Sequence, residues 1–310
     1  MKTTAKGLTR KRSRREAKAA RVAYAHMIPA FVGLSVLTYI PLVLVLVMSL
    51  FKGKSLMGLS GMKFAGFDNY VKMFTTDTQF LPSLQATVTY ALMAVLGSMI
   101  YSLIIAMLLN RKIPARGFFR AVFYLPYVLP AAAVYVGWSW LYETNFGLFN
   151  YILNQLGIED VMFLSSASAA GPSLALVAVW LSGNLIVIFL AGLQNVPRVY
   201  HEAAQIDGAG GFRRFLHITV PSMTPIIFYN LLMSLVTNLQ VVTPALALTK
   251  GGPANSTMYL SYLMYWKAFK EGYLGYASAI SFISFLLIGL FTGILFLTSR
   301  SWIFYEGGDD

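Results

Sequence analysis

The sequence contains no cysteine and few charged residues. Without cysteine, neither disulfides nor thiolate metal sites can form. Asp, Glu, Lys and Arg make up only 12% of its 310 residues, whereas a soluble globular domain carries about 25%. Together with 57% hydrophobic residues and a mean hydropathy of +0.64, this low charge content predicts a membrane protein.

Six long intervals lack charged residues altogether, and each can hold the ~20 apolar residues that a helix needs to cross a bilayer. We therefore predict an all-α, polytopic membrane protein with six transmembrane helices. They are expected near residues 26–51, 84–109, 119–142, 173–196, 221–244 and 277–299. The shorter uncharged stretches 144–158 and 251–266 are not assigned as spans, and the second is compatible with a re-entrant segment.

Lys and Arg concentrate on one side of this predicted topology. The side with both termini carries 17 of them, nine within the first 21 residues, against 7 on the other side. Because cytoplasmic loops are enriched in Lys and Arg, both termini are predicted to be cytoplasmic. We divide the chain into a cytoplasmic basic tail (1–24), a six-helix transmembrane domain (25–300) and a cytoplasmic C-terminal tail (301–310). The basic tail is expected to contact anionic membrane lipid, not nucleic acid.

The predicted spans contain no acidic or basic side chain at depth; Arg120 and His26 lie at span edges. An ion-coupled secondary carrier normally places such groups inside the membrane. A membrane-embedded enzyme would need a reactive cluster, and none is evident in the sequence. The sequence therefore argues against both classes, and we assign no catalytic and no metal-binding residue.

Polar side chains cluster instead in the fifth predicted span. Asn230, Ser234 and Asn238 recur at four-residue spacing and share one helix face, with Thr237 and Gln240 nearby. The stripe is compatible with a water-filled pathway or a polyol ligand. Hydrogen bonding between helices explains it equally well.

The longest polar interruption in the second half of the chain covers residues 200–221. Ala and Glu before its glycine cluster predict a short helix, the glycines predict a bend, and residues 212–218 predict a second helix. We interpret this loop as a docking element for a cytoplasmic partner.

The spacing in this loop resembles the E-A-A-x3-G-x9-I-x-L-P loop of bacterial ABC importer permeases, with Val220 in place of Leu. The resemblance implies the type I ABC importer permease fold and a coupling loop at residues 198–220 that docks on an ATP-binding subunit. The residues it assigns to coupling are Glu202, Ala203, Ala204, Asp207, Gly208, Ile218 and Pro221.

Other stretches resemble the carbohydrate branch of this family, the maltose and glycerol-3-phosphate type permeases. They include GFDNY at residues 66–70 and TKGGP at residues 249–253. On this resemblance, the residues expected to line the substrate pathway are Ser234, Asn238, Asn184, Gln240 and Trp180. Ser234 and Asn238 match sugar-contacting positions, and Trp180 is expected to stack on the sugar ring.

The resemblance also implies a function and a set of partners. It predicts the permease subunit of an ATP-driven importer for a neutral carbohydrate in the bacterial plasma (inner) membrane. Implied partners are a second permease subunit, two ATP-binding subunits that hold ATP and Mg, and an extracytoplasmic sugar-binding protein; the chain itself needs no cofactor. Glycerol-3-phosphate is disfavoured because the spans offer no positive charge at depth. An amino-acid or peptide importer stays open as an alternative, and an ion-coupled carrier is a more remote one.

Overall fold

The computed structural model describes residues 14–55 and 61–304, with side chains from Ala20 onward. Its helices, in chain order, are α1 (Arg14–Leu34), α2 (Ile40–Met48), α3 (Asp68–Thr75), α4 (Phe80–Asn110), α5 (Arg116–Val128), α6 (Ala131–Leu141), α7 (Leu148–Gln155), α8 (Ala167–Trp180), α9 (Gly183–Asn195), α10 (Arg198–Ile206), α11 (Gly211–Arg214), α12 (Val220–Ser222), α13 (Thr224–Leu239), α14 (Leu260–Tyr265) and α15 (Leu274–Ser299). Five-residue π-helical segments occupy Ser35–Tyr39, Phe215–Thr219, Ala245–Thr249 and Trp266–Lys270.

Two short strands correct the expectation of a purely α-helical chain. β1 (Phe51–Lys52) and β2 (Lys63–Phe64) pair antiparallel between α2 and α3. The predicted basic tail falls partly outside the described residues, which begin at Arg14 with α1. In the predicted C-terminal tail, residues 305–310 lie outside them as well.

Among the described residues, three helices are long and apolar enough to cross a membrane, namely Ala20–Met48, Phe80–Asn110 and Leu274–Ser299. Three bent helix pairs meet the same criterion if each pair counts as one span. The spans expected at 119–142, 173–196 and 221–244 therefore fall on bent helix pairs and not on single straight helices.

The sharpest bend separates α5 from α6, which meet at 98°. Pro130 lies two residues after the last residue of α5, Val128. A proline interrupts a helix because it lacks the backbone N–H and its ring clashes with the carbonyl one turn earlier. The third predicted span is thus two helices joined nearly at a right angle.

The bend between α8 and α9 is milder, at 48°. The Ser182 hydroxyl lies 2.7 Å from the carbonyl of Val179 and 2.9 Å from the hydroxyl of Ser102 in α4. Gly183 lets α9 begin against α5, since a Cβ at this position would lie 2.8 Å from the carbonyl oxygen of Phe123. Contacts with neighbouring helices therefore stabilise this break.

The fifth predicted span is shorter than expected. α13 begins at Thr224, after a 68° bend from the preceding helical segment, and ends at Leu239. Gln240 and residues 241–244 consequently lie beyond the helix.

α4 is the central helix, packed against α8, α9 and α13. We call the side with the α4–α5 and α9–α13 connections (residues 111–115 and 196–223) the basic side. There, Leu109, Phe189 and Met223 share a buried cluster. The opposite side carries β1, β2, α3 and α14, and a larger buried cluster includes Phe80 and Tyr259.

Candidate functional site

A cavity of about 560 Å³ lies beside the middle of α4 and the C-terminal end of α13. Two of the helix breaks, α5–α6 and α8–α9, contribute to its walls through Leu129, Leu181 and Ser182. Its polar lining consists of Tyr90, Ser98, Tyr127, Tyr135, Ser182, Asn184, Ser234, Thr237, Asn238, Gln240 and Thr243. None of the described residues that line it is charged. The cavity therefore offers hydroxyl and amide groups, and its size falls within the range of ~300–1,000 Å³ typical of small-molecule sites.

The structure brings four of the five predicted pathway residues together in this cavity: Asn184, Ser234, Asn238 and Gln240. The amide nitrogen of Asn238 donates to the carbonyl of Ser234 at 2.8 Å and lies 3.3 Å from its hydroxyl. Within the described part of the chain, Asn184 and Gln240 have no side-chain hydrogen-bond partner. These two amides are therefore free to bind a ligand.

Trp180 is not in this cavity. Its ring meets that of Trp138 edge-on, with centroids 5.6 Å apart, and it lines a separate cavity of about 540 Å³. The walls of that second cavity are apolar and aromatic, including Leu129, Leu141 and Phe149. A stacking role for Trp180 beside Ser234 and Asn238 does not fit this arrangement.

The polar side chains on α13 have two different roles, since some line the cavity and one bonds to a neighbouring helix. Ser234 and Asn238 line the cavity, whereas Asn230 is fully buried (0% exposed) and does not. The Asn230 amide nitrogen lies 3.4 Å from the carbonyl of Leu185 in α9. Asn230 thus joins two helices, and the two cavity-lining residues are placed to meet a ligand.

Sequence analysis does not select the three tyrosines that line the cavity, Tyr90, Tyr127 and Tyr135. Tyrosines in predicted spans are typical of interface belts. Tyr127 and Tyr135 stand on either side of the bend at Pro130, so they face one space only because α5 and α6 meet there. The proline is the one signal in the sequence that could have pointed to them.

A smaller cavity of about 340 Å³ lies toward the opposite side, between the first turns of α4 and α8 and residues 254–256. Tyr90 lines both cavities, and its ring lies 4.8 Å from that of Tyr259. Burial raises the pKa of the Tyr259 hydroxyl above its ordinary value, so this group is neutral at physiological pH. Tyr90 therefore lies between the central cavity and the smaller one, and Tyr259 lines only the smaller one.

The loop at residues 198–222 folds as helix, turn and helix, as predicted. α10 ends in a Schellman motif, because the N–H of Ala209 bonds to the carbonyl of Ala204 at 2.8 Å and that of Gly208 bonds to Gln205 at 3.1 Å. Gly208 has φ +75°, which glycine adopts without strain. The bend therefore depends on Gly208, while Gly210 has an ordinary φ of −64°.

α10 has no buried residue in this chain. Glu202, Ala203, Asp207 and Gly208 are exposed, and Ala204, Ile218 and Pro221 are half-buried. Large apolar side chains are exposed beside them, with Ile206 at 87% and Phe212 at 76%. An exposed helix with apolar side chains and a free carboxylate is typical of a surface that binds another protein.

Within the described part of the chain, no group of three or more His, Asp or Glu side chains could hold a metal ion. The arrangement therefore consists of a neutral polar cavity among membrane-crossing helices and an exposed helical loop on the basic side.

Comparison with known proteins agrees with this arrangement. Residues 98–302 match the family described as the binding-protein-dependent transport system inner membrane component. The chain belongs to this family. Over 304 residues it is 36% identical to a probable ABC transporter permease protein, YesP, of Bacillus subtilis, covering 97% of each chain.

A second relative and a solved structure extend the comparison. The chain is 32% identical over 238 residues to the trehalose/maltose transport system permease protein MalF of Thermococcus litoralis, covering 76% of this chain and 80% of that one. Its fold matches a chain of a bacterial ABC transporter for the acidic polysaccharide alginate, with a TM-score of 0.79 and 20% identity over 93% of this chain and 98% of that one. A bacterial alginate ABC transporter solved in complex with an alginate pentasaccharide-bound periplasmic protein also matches, with a TM-score of 0.79 and 20% identity. This permease is therefore a transport component with the fold of an ABC importer subunit.

Proposed function

We propose that the chain is the transmembrane permease subunit of an ATP-driven importer for a neutral carbohydrate, a sugar or an oligosaccharide. The observation that carries the cargo assignment is the central cavity, whose polar lining is made of hydroxyls and amides without a charged side chain. Sugar hydroxyls both donate and accept hydrogen bonds, which serine, tyrosine, asparagine and glutamine side chains satisfy. The carbohydrate transport named for MalF of T. litoralis supports the same class of cargo.

The basic side is assigned to the cytoplasm. It carries most of the Lys and Arg residues, which favours a cytoplasmic position for both termini and for the loop at residues 198–222. The smaller cavity beyond Tyr90 then faces the extracytoplasmic side. A sugar released by an extracytoplasmic binding protein would pass this cavity before it reached Ser234 and Asn238.

The exposed loop is assigned to the ATP-binding subunits. In this proposal α10 docks on one of them, Glu202 forms charge-assisted hydrogen bonds with it, and Ala203 and Ala204 keep the contact face thin. Asp207 and Gly208 close the helix, and Ile218 and Pro221 connect the loop to α13. ATP and Mg are held by those subunits, and a second permease completes the pathway.

The cargo assignment is tested by removing the two α13 side chains together. In cells that express the complete importer, Ser234→Ala with Asn238→Ala should raise the KM for uptake of the neutral sugar about fivefold or more, since each hydrogen bond contributes ~0.5–1.5 kcal/mol. Ser139→Ala with Asn154→Ala deletes the same chemical groups outside the cavity and should leave KM unchanged.

Two results would contradict the proposal. One is unchanged sugar uptake in the Ser234 and Asn238 double variant. The other is uptake by the wild type that is inhibited by glycerol-3-phosphate, an amino acid or a peptide but by no neutral sugar. The second result would favour the alternative, a permease for another polar solute.

A further inference from the structure

Two arginines on the basic side lie close together, and neither has a carboxylate partner among the residues that the structure describes. Arg116 and Arg120 are one turn apart on α5, on the same face. With the amide of Gln194 oriented to accept, its side-chain oxygen lies 3.0 Å from an Nη2 atom of each arginine. The salt bridges within the described residues involve neither arginine. Two positive charges therefore converge on one neutral acceptor near the end of α9.

This arrangement leaves hydrogen-bonding capacity unused. Like charges at this helical spacing repel each other, and the Nε atom of Arg116 is buried without a partner among the described residues. An anion that bound here would neutralise both charges and could accept the free donors. Arginine is suited to this role because its planar fork matches the oxygens of a phosphate.

A groove beside the arginines has room for such an anion. Its volume is about 200 Å³, and its lining includes Leu109, Tyr124, Ile186 and Leu190 together with Arg120 and Gln194. A phosphate group fits into a space of this volume. The remaining walls are largely apolar, which suits the glycerol and acyl part of a lipid better than a fully hydrated ion.

The surroundings also favour a lipid. Phe118, Phe119 and Val122 are exposed on α5 itself, so an apolar surface continues from the arginines. Basic pockets between transmembrane helices on the cytoplasmic side are a known setting for anionic lipid head groups. We propose that Arg116, Arg120 and Gln194 bind the phosphate of an anionic phospholipid. This lipid contact lies within the helical domain and is separate from the contact expected for the basic tail.

Native mass spectrometry of the detergent-solubilised importer complex tests the site. Phosphatidylglycerol added to the wild type should remain bound, whereas phosphatidylcholine should not. Arg116→Gln with Arg120→Gln should weaken the retention of phosphatidylglycerol by about tenfold or more, because both phosphate-binding charges are removed. Arg111→Gln with Lys112→Gln removes the same charge from exposed neighbouring positions and should have little effect.

A thermal-shift measurement provides a second readout. Phosphatidylglycerol should raise the melting temperature of the wild type and of the Arg111 and Lys112 double variant, but not of the Arg116 and Arg120 double variant. The double variant Arg116→Lys with Arg120→Lys keeps both positive charges but loses the planar guanidinium groups. It should therefore bind phosphatidylglycerol with intermediate strength. This comparison remains informative if the glutamine variant folds poorly.

Three results would overturn the proposal. Equal loss of lipid in both glutamine pairs would indicate nonspecific attraction to the basic loop. Displacement of the lipid by millimolar inorganic phosphate would indicate a free-anion site. A cross-link from an Arg120→Cys variant to an acidic segment of a partner subunit would indicate a protein contact. None of these results bears on the cargo, so failure of the lipid site is distinguishable from failure of the proposed transport function.

Discussion

The exposed loop and the central cavity are built in opposite ways. The loop occupies one continuous stretch, residues 198–222, and α10 buries none of its side chains in this chain. The cavity draws its lining from Tyr90 to Pro244, across several helices and two helix breaks. The loop is therefore specified by local sequence, whereas the cavity exists only after the helices have packed.

Substitutions in the loop and in the cavity should therefore have different kinds of effect. In the loop, a substitution should act on binding to a partner and leave the fold of this chain intact, since few contacts within the chain are lost. In the cavity, a substitution can act on the cargo or on helix packing, depending on which way its side chain points. Substitutions in the two regions can test that separation.

Reversing the charge of Glu202 should have the largest effect. In Glu202→Lys, the coupled ATPase activity and uptake of the importer should fall by about a hundredfold, because an unpaired charge in a docked interface costs ~2–5 kcal/mol. Glu159→Lys makes the same change at an exposed glutamate distant from the loop and should leave both activities unchanged. If a co-purified Glu202→Lys complex kept wild-type ATPase activity, the loop would not be the coupling element.

Gly208 allows a test of backbone geometry alone. An alanine at Gly208 or at Gly210 would meet no other atom within 4 Å, but only Gly208 has a positive φ. Gly208→Ala should therefore strain the end of α10 by ~1–2 kcal/mol and lower coupled ATPase activity by about tenfold, and Gly210→Ala should not. Equal activity in the two variants would mean that the turn conformation is not needed for docking.

Sequence reasoning succeeds for the loop because its signals are local. Ala203 and Ala204 favour helix, and Gly208 ends it by adopting a conformation that other residues avoid. The same reasoning finds the polar face of α13, since Ser234 and Asn238 are spaced by one helical turn.

The helix breaks are harder to predict because proline alone does not determine them. Pro29, Pro126 and Pro172 all lie inside helices, whereas Pro130 coincides with a 98° bend. The break before α9 contains no proline and rests on contacts of Ser182 with Ser102 and of Gly183 with Phe123. Those contacts join residues far apart in the chain, so a local pattern cannot reveal them.

The α13 stripe gives the smallest expected effect and the sharpest test of the two roles within one helix face. Asn230→Ala removes a buried contact to the Leu185 carbonyl and should lower stability by only ~0.6–1 kcal/mol, as for hydrogen bonds between membrane helices. Because the Asn230 Oδ1 atom has no partner among the described residues, replacement by leucine should cost even less.

Neither substitution at Asn230 should change the KM for sugar uptake, whereas Asn238→Ala should raise it severalfold. The denaturation midpoint and the KM, measured on the same three variants, therefore distinguish the roles. A raised KM in Asn230→Ala at unchanged stability would mean that the cargo reaches one turn deeper along α13 than the cavity in this structure. In that case the face from Asn230 to Asn238 would be one continuous pathway, and the contact between Asn230 and Leu185 would have to open during transport.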